Sequence, residues 1–179
     1  KLCIKIQSYT EALAEIFNNY KKRILVTGTH GKTTTTALLG LTLEKAGFDP
    51  TVIVGGQVIN WQNNVRIGKS DIIVAEGDEY QEKFLSLWPN VLAITNIDYD
   101  HPDYFKTEKD YNEAFFELIA RLEEDDFLIA SNDDIVNKEL RNYDYHGDLN
   151  VQAYDDYFLP KEKKSFEIGL KENLVLSLS

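Results

Sequence analysis

The sequence of 179 residues contains very little sulfur, with one cysteine, Cys3, and no methionine. A single cysteine excludes an internal disulfide framework and is typical of a reducing compartment such as the cytoplasm. Because the chain begins at Lys1 and has no methionine at all, we expect it to be part of a longer protein.

The sequence also lacks an excess of basic residues and any long apolar run. Its formal net charge is −11, whereas proteins that bind nucleic acid usually carry basic surfaces that neutralise phosphates. No apolar run approaches the ~20 residues that a membrane-spanning helix needs, and no signal-peptide pattern opens the chain. We therefore disfavour nucleic-acid binding, insertion into a membrane and export. Hydrophobic residues nevertheless make up 43% of the chain, which is enough for a substantial core in a single domain.

One stretch, residues 24–36, has the features of a phosphate-binding loop. It opens with an apolar run typical of a buried strand, and Gly28 and Gly31 then allow the backbone N–H groups to converge on an anion. Lys32 adds a mobile positive charge, and the helix predicted to begin there presents the positive end of its dipole. Thr33 supplies the hydroxyl that a phosphate-bound magnesium ion needs. We interpret the stretch as a nucleotide-binding P-loop; the alternative is an ordinary strand-to-helix turn that contains glycine.

Apolar periodicity and turn residues predict helices and strands in alternation. The predicted helices cover residues 9–20, 33–46, 80–88, 108–122 and 134–142. The predicted strands cover residues 24–26, 51–54, 71–76, 91–98, 127–130 and 150–154, with a loop or irregular hairpin at 60–64 and a hairpin formed by 166–170 and 174–178. This order indicates an α/β fold of the P-loop NTPase type, with a mainly parallel sheet covered by helices on both faces. The change of pattern after about residue 145 predicts a small antiparallel extension near the C-terminus.

Two further strands are predicted to end in polar residues. One leads directly into Glu76, a carboxylate placed to hold a magnesium ion, although an acidic surface loop is the alternative. Another leads into an amide, carboxylates and a histidine, which are Asn96, Asp98, Asp100 and His101. Because the carboxyl ends of parallel strands meet at one edge of the sheet, we expect Lys32, Glu76 and the stretch from Asn96 to His101 to lie together.

Three stretches taken together resemble the motifs of the Mur ligases, the ATP-dependent amide-forming enzymes of peptidoglycan precursor synthesis. They are residues 28–36, 75–79 and 95–101. The similarity covers roughly residues 8 to 140, and the family's normal spacing begins at Gly28, so Val26 need not be the glycine of the generic P-loop pattern. The resemblance implies that residues 1–179 are the central ATP-binding domain, without its last part and without the family's N-terminal UDP-binding and C-terminal domains.

The resemblance also implies a mechanism and a set of site residues. In the family, a substrate carboxylate attacks the γ-phosphate of ATP, and the resulting acyl phosphate reacts with an amino group to give an amide. Nucleotide binding is then expected from Gly28, Thr29, His30, Gly31, Lys32, Thr33 and Thr34. The expected catalytic residues are Lys32, Glu76 and His101, and the expected Mg²⁺ ligands are Thr33, Glu76 and His101. Lys32 and the magnesium ions would offset the repulsion between the attacking carboxylate and the phosphate.

Two positions indicate a branch within the family, namely His30 and Phe115. Several Mur ligases have a carbamylated lysine where Phe115 stands, so the branches that add diaminopimelate or glutamate are disfavoured. The resemblance favours the alanine-adding branch, which implies UDP-N-acetylmuramate and L-alanine as substrates in the bacterial cytoplasm. Residues 79–85 lead quickly to Pro89, without the longer insertion expected of the murein-tripeptide recycling branch. That recycling ligase, a folylpolyglutamate-synthase-like ligase and a nucleotide-binding module without catalysis are the alternatives.

Overall fold

Helices and strands alternate along the chain in the computed structural model, which describes residues 6–130 and 150–153. The helices are α1 (Tyr9–Asn18), α2 (Lys32–Lys45) and α3 (Glu108–Ile119), with a 3₁₀ helix at Tyr80–Ser86. The strands are β1 (Lys22–Thr27), β2 (Thr51–Val58), β3 (Asn63–Arg66), β4 (Ile72–Glu76), β5 (Val91–Ile94), β6 (Phe127–Ala130) and β7 (Asn150–Ala153). The helix predicted at 134–142 and the hairpin predicted at 166–178 lie outside the described residues.

The seven strands form one sheet in the order β3-β2-β4-β1-β5-β6-β7. Every neighbouring pair is parallel except β2 and β3, which form an irregular antiparallel hairpin at one edge. The predicted mainly parallel α/β sheet is therefore confirmed. The antiparallel extension predicted after residue 145 is wrong as far as β7, because β7 pairs parallel with β6, with Asn150 opposite Phe127. The apolar pattern of a short strand predicts its existence but not its direction.

Alternate residues of the strands face two separate hydrophobic clusters, as the twofold period of a strand requires. One cluster joins α1, the 3₁₀ helix and α3 to the sheet; it contains Phe17, Leu25, Ile73, Phe84, Leu92, Phe115, Leu118 and Leu128. The other joins α2 to the opposite face; it contains Val26, Leu41, Val52, Val54, Val58 and Val74. Helices thus cover both faces, and the carboxyl ends of the strands are left as the accessible edge.

Capping residues fix the beginnings of α1 and α3. Ser8 and Glu11 form the capping box that their spacing predicts, and the helix therefore begins at Tyr9. Thr107 and Asp110 form an equivalent capping box at α3, which begins at Glu108 as predicted. In contrast, α2 has Gly31 at its N-cap and no side-chain cap, so its first N–H groups are available to another partner.

Several predicted elements differ from the observed ones. The strand predicted to end before Gly55 continues to Val58, because its antiparallel partner β3 extends the pairing. The strand predicted over 91–98 ends at Ile94, where the chain turns into polar loop contacts. The helix predicted over 80–88 is a kinked 3₁₀ helix that ends at Ser86, and Gln81 and Glu82 within it both have left-handed backbone angles. Within the described ranges no helix is long and apolar enough to cross a bilayer.

Candidate functional site

The beginning of α2 combines the backbone features of an anion-binding loop. β1 ends at Thr27, and the chain passes through Gly28 and Gly31, whose φ angles are 130° and 81°. A Cβ atom at Gly28 would overlap Thr95 Oγ1, so this position needs glycine for space as well as for its backbone angle. The N-terminus of α2, with its positive dipole end, therefore opens at the carboxyl edge of the sheet.

Lys32, the first residue of α2, folds back over this loop. Its Nζ donates hydrogen bonds to the carbonyl oxygens of Gly28 and Thr29, at 2.7 and 3.0 Å. The same Nζ lies 3.0 Å from Glu79 Oε1 and 2.9 Å from Glu79 Oε2, and only 2% of the Glu79 side chain is exposed. The predicted phosphate-binding lysine is thus held at the mouth of the loop by a buried carboxylate.

Glu76 lies at the end of β4, beside the first turn of α2. Its Oε1 accepts a hydrogen bond from Thr33 Oγ1 at 2.9 Å, and its Oε2 accepts one from the backbone N–H of Gly55 at 2.6 Å. Parallel pairing of β4 with β1 and β2 brings the three residues together, although they are up to 43 positions apart.

The oxygens of Thr33 and Glu76 fit a magnesium ion that is also bound to phosphates. Adjacent oxygen ligands of an octahedral Mg²⁺, each about 2.1 Å from the metal, lie about 3 Å apart, which is the separation of Thr33 Oγ1 and Glu76 Oε1. Among the described residues, no three His, Cys, Asp or Glu side chains converge as a metal site of their own. Mg²⁺ usually takes one or two protein ligands and completes its shell with phosphate and water.

His101 and Lys32 both lie next to the carboxylate of Glu79. Its Nε2 lies 3.6 Å from Glu79 Oε1, and its ring packs against Tyr80 with 4.8 Å between the ring centroids. The backbone at His101 is left-handed, with φ of 57°. Tyr80 in turn donates a hydrogen bond to Asp103 at 2.8 Å, which lowers the pKa of the Asp103 carboxyl and raises that of the Tyr80 hydroxyl. These contacts fix the imidazole next to the carboxylate that holds Lys32.

The rest of the P-loop is held in shape by the residues after β5. The N–H groups of Thr29 and His30 donate to the backbone oxygen and the side-chain oxygen of Asn96, at 3.1 and 2.9 Å. The Asn96 amide also donates to the His30 carbonyl at 3.0 Å. Thr29 and His30 therefore contribute to the frame of the loop through their backbones, and the His30 side chain is exposed.

A buried tyrosine supports the same loop from beneath. Tyr111, on α3, is fully buried, and its hydroxyl lies 2.7 Å from Thr29 Oγ1. Burial raises the pKa of Tyr111 far above its ordinary value, although the hydrogen bond with Thr29 acts in the opposite direction. Thr36 is also turned away from the edge, because its hydroxyl donates to the Lys32 carbonyl at 2.8 Å.

A cavity of about 680 Å³ opens beside the Lys32 and Glu76 side chains. Its walls come from the start of α1, the middle of β2 and the 3₁₀ helix, and they include Ser8, Tyr9, Gly55, Asn64 and Lys83. The cavity therefore reaches the edge at which Lys32 and Glu76 lie from the side of β2 and β4. It is large enough for part of a small-molecule substrate.

The structure brings together Lys32, Thr33 and Glu76 as expected. His101 lies near them, with the Glu79 carboxylate between it and Lys32. Their roles toward ATP and Mg²⁺ stay predictions. The sequence placed Asn96 at this edge without a defined role, and it gave no role in the site to Glu79 and Tyr111, although Glu79 belongs to a stretch that it singled out. For Glu79 the signal is a third carboxylate, after Glu76 and Asp78, in the short stretch that follows β4. Tyr111 has the spacing of any core residue in an amphipathic helix.

Comparison with a family model gives a match to the Mur ligase middle domain over residues 26–157. The chain is 42% identical over 147 residues to the UDP-N-acetylmuramate–L-alanine ligase of Alkaliphilus metalliredigens, covering 82% of this chain and 32% of that protein. It is 40% identical over 155 residues to the ligase of the same name from Borreliella burgdorferi, covering 86% of this chain and 33% of that protein. The chain thus spans about a third of the length of these relatives.

Two solved structures show the same fold. One is the UDP-N-acetylmuramate–alanine ligase of Thermotoga maritima, with a TM-score of 0.63 and 30% identity over 72% of this chain and 30% of that chain. The other, from Neisseria meningitides, is named UDP-N-acetylmuramate:L-alanyl-γ-D-glutamyl-meso-diaminopimelate ligase. Its TM-score is 0.71, with 24% identity over 80% of this chain and 49% of that chain.

Proposed function

The chain belongs to the Mur ligase family, and we propose that it is the ATP-binding middle domain of an enzyme that joins L-alanine to UDP-N-acetylmuramate. One observation carries the proposal: Lys32, Thr33 and Glu76 meet at the open N-terminus of α2, with Thr33 Oγ1 and Glu76 Oε1 2.9 Å apart. Relatives at 42% and 40% identity bear the name of the alanine-adding ligase, which favours the same acceptor and amino acid.

The proposed reaction requires that an anionic carboxylate attack an anionic γ-phosphate. The N–H groups at the start of α2 and the Nζ of Lys32 would bind the phosphate oxygens and reduce this repulsion. The carboxylate oxygen forms the new bond to phosphorus while ADP leaves, and the amino group of alanine then displaces phosphate from the acyl phosphate. Lys32 therefore acts by orientation and charge, without transferring a proton itself.

Magnesium would be held by Thr33 and Glu76, and His101 would help to hold a second ion. When bound, Mg²⁺ would supply positive charge that offsets the negative charge of the transferred phosphate. The protein prepares this position in advance, because the backbone N–H of Gly55 fixes the second oxygen of Glu76. The geometry leaves Glu76 Oε1 and Thr33 Oγ1 directed at each other beside the helix N-terminus.

The cavity beside Lys32 and Glu76 is our candidate for the site that binds the carboxylate of the acceptor substrate. Lys83, which lines it, offers a positive charge, although it also forms an ion pair with Asp78 at 2.8 Å. The UDP portion of the acceptor and the amino acid would bind in parts of the enzyme beyond this domain, since the matching relatives are about three times as long. We place the reaction in the bacterial cytoplasm.

The test uses the full-length protein that contains this chain. Phosphate release from ATP should require UDP-N-acetylmuramate and L-alanine together. Lys32→Ala and Glu76→Ala should each reduce turnover by at least about 100-fold, since each removes charge stabilisation at the transferred phosphate. Lys45→Ala is the control, because Lys45 is exposed at the opposite end of α2. Wild-type turnover in either active-site variant would refute the assignment.

Two other enzyme functions are distinguished by substrate. The recycling ligase would use the tripeptide L-alanyl-γ-D-glutamyl-meso-diaminopimelate in place of alanine, and a folylpolyglutamate-synthase-like enzyme would use a folate in place of the UDP-sugar. The fold agrees with each of these enzymes, so substrate competition decides between them. We expect alanine to be the preferred amino donor and folate to be inert. A nucleotide-binding module without catalysis would bind ATP and release no phosphate with any acceptor.

A further inference from the structure

Glu79 is a buried carboxylate with no assigned part in the proposed reaction. Only 2% of its side chain is exposed, and it lies on the short connection between β4 and the 3₁₀ helix. A carboxylate removed from water requires close positive or hydrogen-bonding partners, because its desolvation is otherwise very costly. The identity of those partners therefore indicates what the residue does.

One partner is Lys32, which has no donor to spare. An ammonium group has three N–H donors, and the acceptors within hydrogen-bonding distance of Nζ are the carbonyl oxygens of Gly28 and Thr29 and the carboxylate of Glu79. Among these three acceptors, Glu79 is the anion and reaches Nζ with both of its oxygens, at 3.0 and 2.9 Å. A phosphate can gain a hydrogen bond from Lys32 only if one of these contacts is given up.

The second partner is His101. The same Oε1 that accepts from Lys32 lies 3.6 Å from His101 Nε2. The neighbouring residue, Tyr80, packs on the imidazole ring, so one short segment determines the position of His101 from two sides. Glu79 follows β4 and His101 follows β5, and these strands are the two neighbours of β1 in the sheet. Glu79, from the β4 side of β1, thus connects the P-loop lysine with His101 from the β5 side.

A stabilising role alone explains this arrangement poorly. Buried ion pairs contribute little net stability, since the desolvation of both charges offsets their attraction, and well-packed apolar residues often serve as well. The side chain of Lys32 is only 16% exposed and that of Glu79 only 2%, so the desolvation is extensive. The benefit of the pair therefore lies in where it holds the two side chains.

We propose that Glu79 is a positioning residue that orients Lys32 and His101 through one carboxylate and competes with phosphate for the Lys32 ammonium. The inference rests on the proposed function, because it concerns the handling of a nucleotide phosphate. Two effects of opposite sign follow. Loss of the charge should release Lys32 toward phosphate and strengthen nucleotide binding, while loss of orientation should slow the phosphoryl transfer.

The experiment measures both quantities in the full-length protein. ADP–Mg²⁺ affinity is obtained by calorimetry, and kcat is obtained from phosphate release with saturating substrates. For Glu79→Gln, which keeps the shape and removes the charge, we expect the Kd of ADP to fall by about threefold to tenfold. We expect kcat to fall by about 100-fold, the order of loss that a misplacement of about 1 Å causes. Glu82→Gln is the matched control, because Glu82 is exposed and carries the same charge three residues away.

A second variant covers the case in which Glu79→Gln does not fold. Glu79→Asp retains the charge but is shorter by one methylene, so ADP affinity should match wild type while kcat still falls. Full kcat in Glu79→Asp would overturn the proposal, since the distance to Lys32 and His101 would then not matter. The proposal would also be overturned if affinity and kcat of Glu79→Gln both matched wild type, or if both fell together with the melting temperature.

The same measurements distinguish this role of Glu79 from the proposed function. A wild-type protein that bound no nucleotide would reject the proposed function and this role of Glu79 together. A wild-type protein that bound ADP and released phosphate, beside an unchanged Glu79→Gln variant, would reject the role of Glu79 only.

Discussion

Single residues shape the loop after β1 through contacts that are long-range in sequence. Gly28 is packed against Thr95 and Asn96, Thr29 against Tyr111, and Lys32 against Glu79. Each of these contacts joins the loop after β1 to the end of a different strand or to a helix. The loop is therefore shaped by its neighbours at least as much as by its own glycines, and two substitutions test this conclusion.

The first substitution is Gly28→Ala, compared with Gly47→Ala. Gly47 has a φ of 84°, and no atom lies within 4 Å of the position that an alanine Cβ would take. Alanine there should cost only the left-handed backbone strain of about 1 to 2 kcal/mol. At Gly28 the added Cβ would also overlap Thr95 Oγ1, so the cost should reach about 3 kcal/mol or more. Urea denaturation of both variants measures the difference in their free energies of unfolding. Equal losses would show that the loop around Gly28 shifts to accommodate the added Cβ at little cost.

The second substitution is Tyr111→Phe, measured as a function of pH. Burial raises the folded-state pKa of Tyr111 above its ordinary value of 10.0, so the folded protein keeps a proton that the unfolded chain loses at alkaline pH. Below about pH 10 the wild type should be more stable by about 1 kcal/mol, the worth of one hydrogen bond. At higher pH this advantage should shrink by about 1.4 kcal/mol per pH unit. An advantage that stayed constant up to about pH 11 would contradict the raised pKa.

Among the elements, the segment after β4 departs most from regular structure. Gln81 and Glu82 lie within the 3₁₀ helix with φ angles of 55° and 57°, which are costly for residues with a Cβ. The kink places Glu79 and Tyr80 against the edge of the sheet while Phe84 enters the core. Strain of this kind is common where a site imposes its geometry on the backbone.

The kink predicts an unusual response to glycine. Gln81→Gly should stabilise the protein by about 0.5 to 1 kcal/mol, because glycine adopts left-handed angles without steric cost. Glu113→Gly, at an exposed position inside α3, should instead destabilise it by about 1 kcal/mol. Thermal denaturation of the two variants shows whether each substitution raises or lowers the stability. Destabilisation in both would show that the left-handed angles at the kink carry no strain.

At the scale of the whole molecule, the parallel sheet supplies one common edge for residues from several strands. The parallel strands β1, β4 and β5 end at this edge, and α2 begins there without a side-chain cap. A ligand that binds only the folded state must raise its stability by mass action. Nucleotide binding can therefore be measured even where catalysis needs further domains.

We predict that ATP–Mg²⁺ at about 100 times its Kd stabilises the full-length protein by about 2.7 kcal/mol. Removal of magnesium with a chelator should reduce this gain, because Thr33 and Glu76 would lose the ion that joins them to phosphate. The chain of residues 1–179 alone should be stabilised less at the same nucleotide concentration and should form no amide. Differential scanning calorimetry gives the comparison. An equal gain with and without magnesium would argue against a metal at Glu76.

The sequence by itself determined the alternation of helices and strands, the P-loop and the three motifs of the family, because these depend on local periodicity and on residue types at short spacing. It also indicated that Lys32, Glu76 and His101 belong to one edge, since parallel strands end together. Only the tertiary structure decided that Glu79 lies between Lys32 and His101, that Tyr111 supports Thr29, and that β7 runs parallel to β6. Those contacts join residues between 22 and 82 positions apart, and local pattern carries no information about which distant side chain fills a given space.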